Sequence, residues 1–112
     1  MADIDEQIRF TTFLSMTERD VSEDDAGAAM YAMHPFDSDV PCARALEKPV
    51  RKRSRKLARR LKNAAPSDVG RLAVEAIREY LREAEAAGDA TYTERFKLML
   101  EKYESDGSAG SA

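Results

Sequence analysis

In the stretch 66–88, PSDVGRLAVEAIREYLREAEAAG, apolar residues return every three or four positions. Val69, Leu72, Ala73, Ala76, Ile77, Tyr80, Leu81 and Ala84 hold that rhythm for four turns, which is the period of a helix with one buried stripe. A strand would need alternation at every second residue, and none is present. Pro66 breaks the chain before the stretch, Ser67 can cap its first turn, and Gly88 is suited to the left-handed position that ends a helix. Arg71 with Glu75 and Glu79 with Arg82 are spaced to pair along its outer face. A helix over about 68–87 is therefore the expected central packing element.

Helical signals recur on both sides of it. Thr91 and Glu94 form a capping box, and Tyr92, Phe96, Met99, Leu100 and Tyr103 give the following segment an apolar face. The two segments, joined by a short glycine-containing turn, should form an antiparallel hairpin. Toward the N-terminus, Asp3 and Glu6 make another capping box ahead of Ile4, Ile8, Phe10, Phe13 and Leu14, a first helix fading near Thr17. Ser22 caps a second, small-residue helix with Ala26, Ala28, Ala29, Met30 and Met33, which Pro35 stops near His34. Its Met residues read first as core, and its size also suits an interface, so a homodimer is an expected option. Residues 35–48 read as a connector holding one helical turn over Pro41 to Leu46. The tail 105–112 lacks apolar content and reads as disordered. The expectation is all-α: a single domain over 1–104, built as a small bundle of four to five helices.

Charge is sharply partitioned. Net charge is −8 over residues 1–47, +9 over 48–62 and −4 over 63–112, within a 112-residue chain of net charge −3. The segment 48–62, KPVRKRSRKLARRLK, has nine bases and no acid. From about Pro49 it reads as a helix with a narrow Val50, Ser54, Leu57, Leu61 seam and bases around the remaining circumference. A pI near 5.2 argues against a protein that coats nucleic acid with its whole surface and leaves a local basic patch. The bases Arg51, Lys52, Arg53, Arg55, Lys56, Arg59, Arg60 and Lys62 are the candidate phosphate contacts. Other uses compete: pairing with the chain's own acids, such as Asp3, Asp5, Glu23, Asp24 and Asp25, or docking on an acidic protein surface or an anionic membrane surface, the narrow seam and missing aromatics arguing against deep insertion.

Residues 54–72, SRKLARRLKNAAPSDVGRL, loosely resemble a helix-turn-helix. Leu57, Ala58 and Leu61 would be buried in its first helix, Asn63 would stand at the turn in a left-handed conformation, and Val69 and Leu72 would be buried in the second. The resemblance implies that Ser67, Asp68, Gly70 and Arg71 lie near base edges. Two departures are plain: a one-residue turn, and an acid, Asp68, opening the reading helix. The same stretch loosely resembles the helical part of ribbon-helix-helix regulators, but Pro49 and the lack of alternation before it leave no pairing strand.

Catalytic and metal chemistry find no support. Cys42 is the sole cysteine, so a disulfide within the chain and a cysteine-rich zinc site are excluded. His34 is the sole histidine, no Gly-rich phosphate loop is present, and Asp37 with Asp39 falls short of a calcium loop. No cofactor, no enzyme activity and no membrane span are expected, and the cytoplasm is the expected location. The sequence thus favours a small DNA-binding regulatory or accessory protein, with a non-enzymatic protein-binding regulator (inhibitor, antitoxin-like partner or adaptor) as the alternative.

Overall fold

A computed structural model of the chain describes residues 21–37 and 39–111, with side chains as far as Tyr103. The helix expected over residues 3–17 lies outside the described residues, and of the tail expected over 105–112 only the backbone as far as Ser111 is described, within the last helix. Among the described residues there are four helices and no strand: α1 (Glu23–Met33), α2 (Arg44–Lys62), α3 (Pro66–Ala87) and α4 (Ala90–Ser111). The all-α bundle is as expected.

α3 sits at the centre and packs against each of the other three helices. Its stripe of Val69, Ala73, Ile77, Tyr80 and Ala84 is fully buried. α1 can lie close because Ala28, Ala29 and Ala32 present almost no side chain, and each is buried. Tyr80 closes this contact with a hydroxyl that donates to the Ala32 carbonyl at 2.7 Å, so its one polar atom is satisfied in the core. α4 contributes the aromatic part: the Phe96 ring lies 5.8 Å from Tyr80, 5.7 Å from Tyr92 and 6.5 Å from Tyr31. Burial pushes the Tyr31 phenol up to about 12, since the phenolate would lose its water.

The helix ends follow from local chemistry, though not always at the expected residue. Ser22 caps α1 by accepting from the Asp25 amide at 3.2 Å, as expected. Gly88 ends α3 at φ 72°, also as expected. Ser67 does not cap α3. Pro66 takes the first helical position, where its missing N–H is no loss, and Ala65 precedes it. The capping box at Thr91 is likewise replaced. α4 begins at Ala90, two residues earlier than a Thr91 cap implies, and the buried Asp89 accepts from the Tyr92 amide at 3.0 Å. α2 starts at Arg44, five residues before Pro49, which lies within the helix. The proline deprives only the Ala45 carbonyl of its partner, and Ala45 is exposed to water that can replace it.

What remains of the connector, 34–43, is pinned from a distance. The Tyr92 hydroxyl donates to the Val40 carbonyl at 2.5 Å and accepts from the Asp37 amide at 3.1 Å. Asp89 accepts from the Ala43 amide at 2.7 Å. Phe36 packs edge-on against the Tyr92 ring at 5.2 Å. The first turn of α4 therefore fixes where α2 begins.

Candidate functional site

α2 is anchored by Leu46, Val50, Leu57, Ala58 and Leu61, all buried. Ser54 lies on the same seam and is also buried; its hydroxyl donates to the Arg51 carbonyl at 2.8 Å, so a polar residue enters the core with its donor satisfied. A helix with 3.6 residues per turn that buries this seam must turn its bases outward. Lys48, Lys52, Lys56 and Arg59 form the stripe opposite the seam, spanning roughly 16 Å at 1.5 Å per residue. Arg60 and Lys62 flank it, and all six are exposed. Among the described residues none of the six makes an ion pair. Arg55 is half-buried.

The two remaining bases of the run are engaged. Arg51 pairs with Glu47 one turn earlier at 3.2 Å and lies 5.7 Å above the Phe36 ring, tying this flank to the connector. Arg53 turns toward α3 and reaches Glu79 at 3.8 Å and Glu83 at 3.7 Å. The expected intramolecular partners Asp3 and Asp5 lie outside the described residues. Glu23, Asp24 and Asp25 make no described ion pair with α2. Arg53 precedes the seam residue Leu57 by one turn, which places it at the seam's edge, but its partners on α3 follow only from how the two helices pack.

The residues expected near base edges stand differently. Ser67 is exposed in the first turn of α3. Arg71 is held by Asp68 at 3.3 Å and Glu75 at 3.2 Å, and these hydrogen bonds, Asp68 first, hold its guanidinium above the usual range. Gly70 is half-buried against α1, and a Cβ there would run into the Asp25 carboxylate. The link between α2 and α3 is three residues, 63–65, longer than the single-residue turn expected. Asn63 has φ −112°, so it does not take the left-handed conformation.

Two surface clefts border α2. One, about 340 Å³, lies between α2 and α3 over Leu57, Leu72 and Ala76, with Arg53, Lys56, Arg60 and Arg82 on its rim beside Glu75 and Glu79. The other, about 360 Å³, lies between the connector and α2 and includes His34, Cys42 and Arg51. Burial first, then Glu47 and Asp89, pushes the Cys42 thiol up, away from a reactive thiolate. Among the described residues there is no cluster of three metal-ligating side chains, and no helix long and apolar enough to cross a membrane. Comparison with known proteins finds no matching family model, no matching curated protein and no matching solved structure.

Proposed function

We propose that this protein is a small, non-catalytic nucleic-acid-binding accessory or regulatory protein that holds duplex DNA by its phosphates on the outer face of α2. The observation that carries the reading is the exposed set Lys48, Lys52, Lys56, Arg59, Arg60 and Lys62 on a helix whose opposite seam is buried. Such a surface is pre-ordered, so binding does not have to freeze a loose arm. Each phosphate neutralised releases counterions, which makes affinity strongly salt-dependent. Base reading from the start of α3 draws less support, because Arg71 already shares its donors with Asp68 and Glu75. Contacts to phosphates position a protein on DNA without reading sequence.

Fluorescence anisotropy with a labelled duplex, titrated across salt, tests this. Four to six phosphate contacts give a log–log slope of roughly −4 to −5. Lys52, Lys56 and Arg59→Ala together should flatten it by about 3 while leaving the fold intact by circular dichroism. Absence of binding at low salt sinks the reading and leaves an acidic protein surface as the partner to pursue. Homodimerisation, if it occurs, would double the number of contacts, and sedimentation in the same buffers decides it.

A further inference from the structure

We propose that the cleft between α2 and α3 is a second phosphate subsite and that Glu79 fills it in the free protein. This rests on the phosphate-binding reading of α2 and extends the footprint across to α3. Three observations converge on the cleft. Arg53 leans over it yet makes no short bond: its contacts with Glu79 and Glu83, at 3.8 and 3.7 Å, lie beyond hydrogen-bond range. Arg82, from α3, holds the same Glu79 carboxylate at 2.7 Å. Lys56 and Arg60 complete the rim, both exposed and without an ion pair among the described residues.

One carboxylate thus stands between arginines from two helices, where an anion of the same charge and larger size would fit. The side chains involved are substantially exposed: 45% for Arg53, 36% for Glu79 and 71% for Arg82, so the existing pairs are screened and weak. A phosphodiester offers arginine a forked pair of acceptors, a better match than the stretched contacts to Arg53. Arrival of a phosphate would move Glu79 aside and recruit Arg53 and Arg82. Glu79 therefore acts as an internal competitor, limiting how tightly a polyanion is held at low occupancy of the outer stripe.

Glu79→Gln is the test, with Glu94→Gln as its control; Glu94 is exposed on α4, and its replacement removes the same unit of charge. With a labelled DNA duplex, Glu79→Gln should tighten binding and steepen the salt slope by about 0.9 to 1.8, one to two added phosphates, whereas Glu94→Gln should leave the slope unchanged. Adding Arg53→Ala to Glu79→Gln should return the slope toward that of the unmodified protein. Equal slopes for the two glutamine variants overturn the subsite while leaving the α2 reading standing. Binding acquired only by Glu79→Gln overturns the α2 reading as it stands and keeps the subsite. No binding by any variant at low salt overturns both.

Discussion

α2 and α3 lie side by side and bury seams of the same kind, but their outer faces are organised on opposite plans. Along α3, acids and bases alternate at helical spacing: Asp68 and Glu75 flank Arg71, and Glu79 meets Arg82. Along α2 after Glu47 there is no acid for fifteen residues. Like charges one turn apart repel, so the α2 face lowers the helix's own stability and has to be held by its buried seam. The α3 bases Arg71 and Arg82 each have an acid at helical spacing. This contrast is the physical reason behind the proposal that α2 carries the binding surface.

The sharpest way to break the comparison is to weaken each seam in turn. Leu57→Ala on α2 and Ile77→Ala on α3 should each destabilise the fold by about 2–5 kcal/mol in urea unfolding. Ile77, buried on the helix that touches all the others, belongs at the upper end. If Leu57→Ala falls well below that range, the seam does not hold α2 to the body and its bases are not a fixed surface.

A smaller effect probes how closely α3 is packed. Replacing a helical glycine by alanine should gain about 1 kcal/mol from propensity alone. At Gly70 the new Cβ meets the Asp25 carboxylate, so Gly70→Ala should gain less, or lose. The full gain should return in an Asp25→Ala background. A double-mutant cycle reads the difference, and additivity of the two changes would show that the contact between α1 and α3 is loose.

The smallest effect is the most direct test of the two charge plans. Arg71→Ala removes a base shared by two acids and should lower the melting temperature slightly. Arg59→Ala relieves repulsion and should leave it unchanged or raise it. Equal losses at both positions would mean that α2's bases are satisfied within the chain, leaving fewer for a ligand.

Much of this architecture was legible in the residues. The rhythm from Val69 to Ala84 places the central helix because burial on three sides demands a wide apolar stripe. Ser22 and Gly88 mark helix ends because one supplies a side-chain acceptor and the other tolerates positive φ. The start of α2 was not legible. Pro49 reads as a first-turn residue, but α2 starts at Arg44, where Asp89 holds the Ala43 amide and Leu46 is buried. Thr91 offers a local capping pattern, whereas a buried aspartate reaching 46 residues back leaves no local signature. At the candidate site the basic run and its seam could be read directly. The reach of Arg53 to Glu79 and Glu83 could not, because it depends on how two helices lie against each other.

The ties from α4 to the connector are non-local. They join residues 46 to 55 positions apart, whereas Gly88 closes the hairpin of α3 and α4 locally. Contacts over such separations cost more loop-closure entropy than local ones. Hydrogen exchange should therefore show the connector amides at Asp37 and Ala43 exchanging faster than the amides of the α3 core, and equal protection would mean that the connector folds together with the hairpin. The N-terminal end of the cationic stripe at Lys48 thus rests on a helix start that α4 holds from 46 residues away.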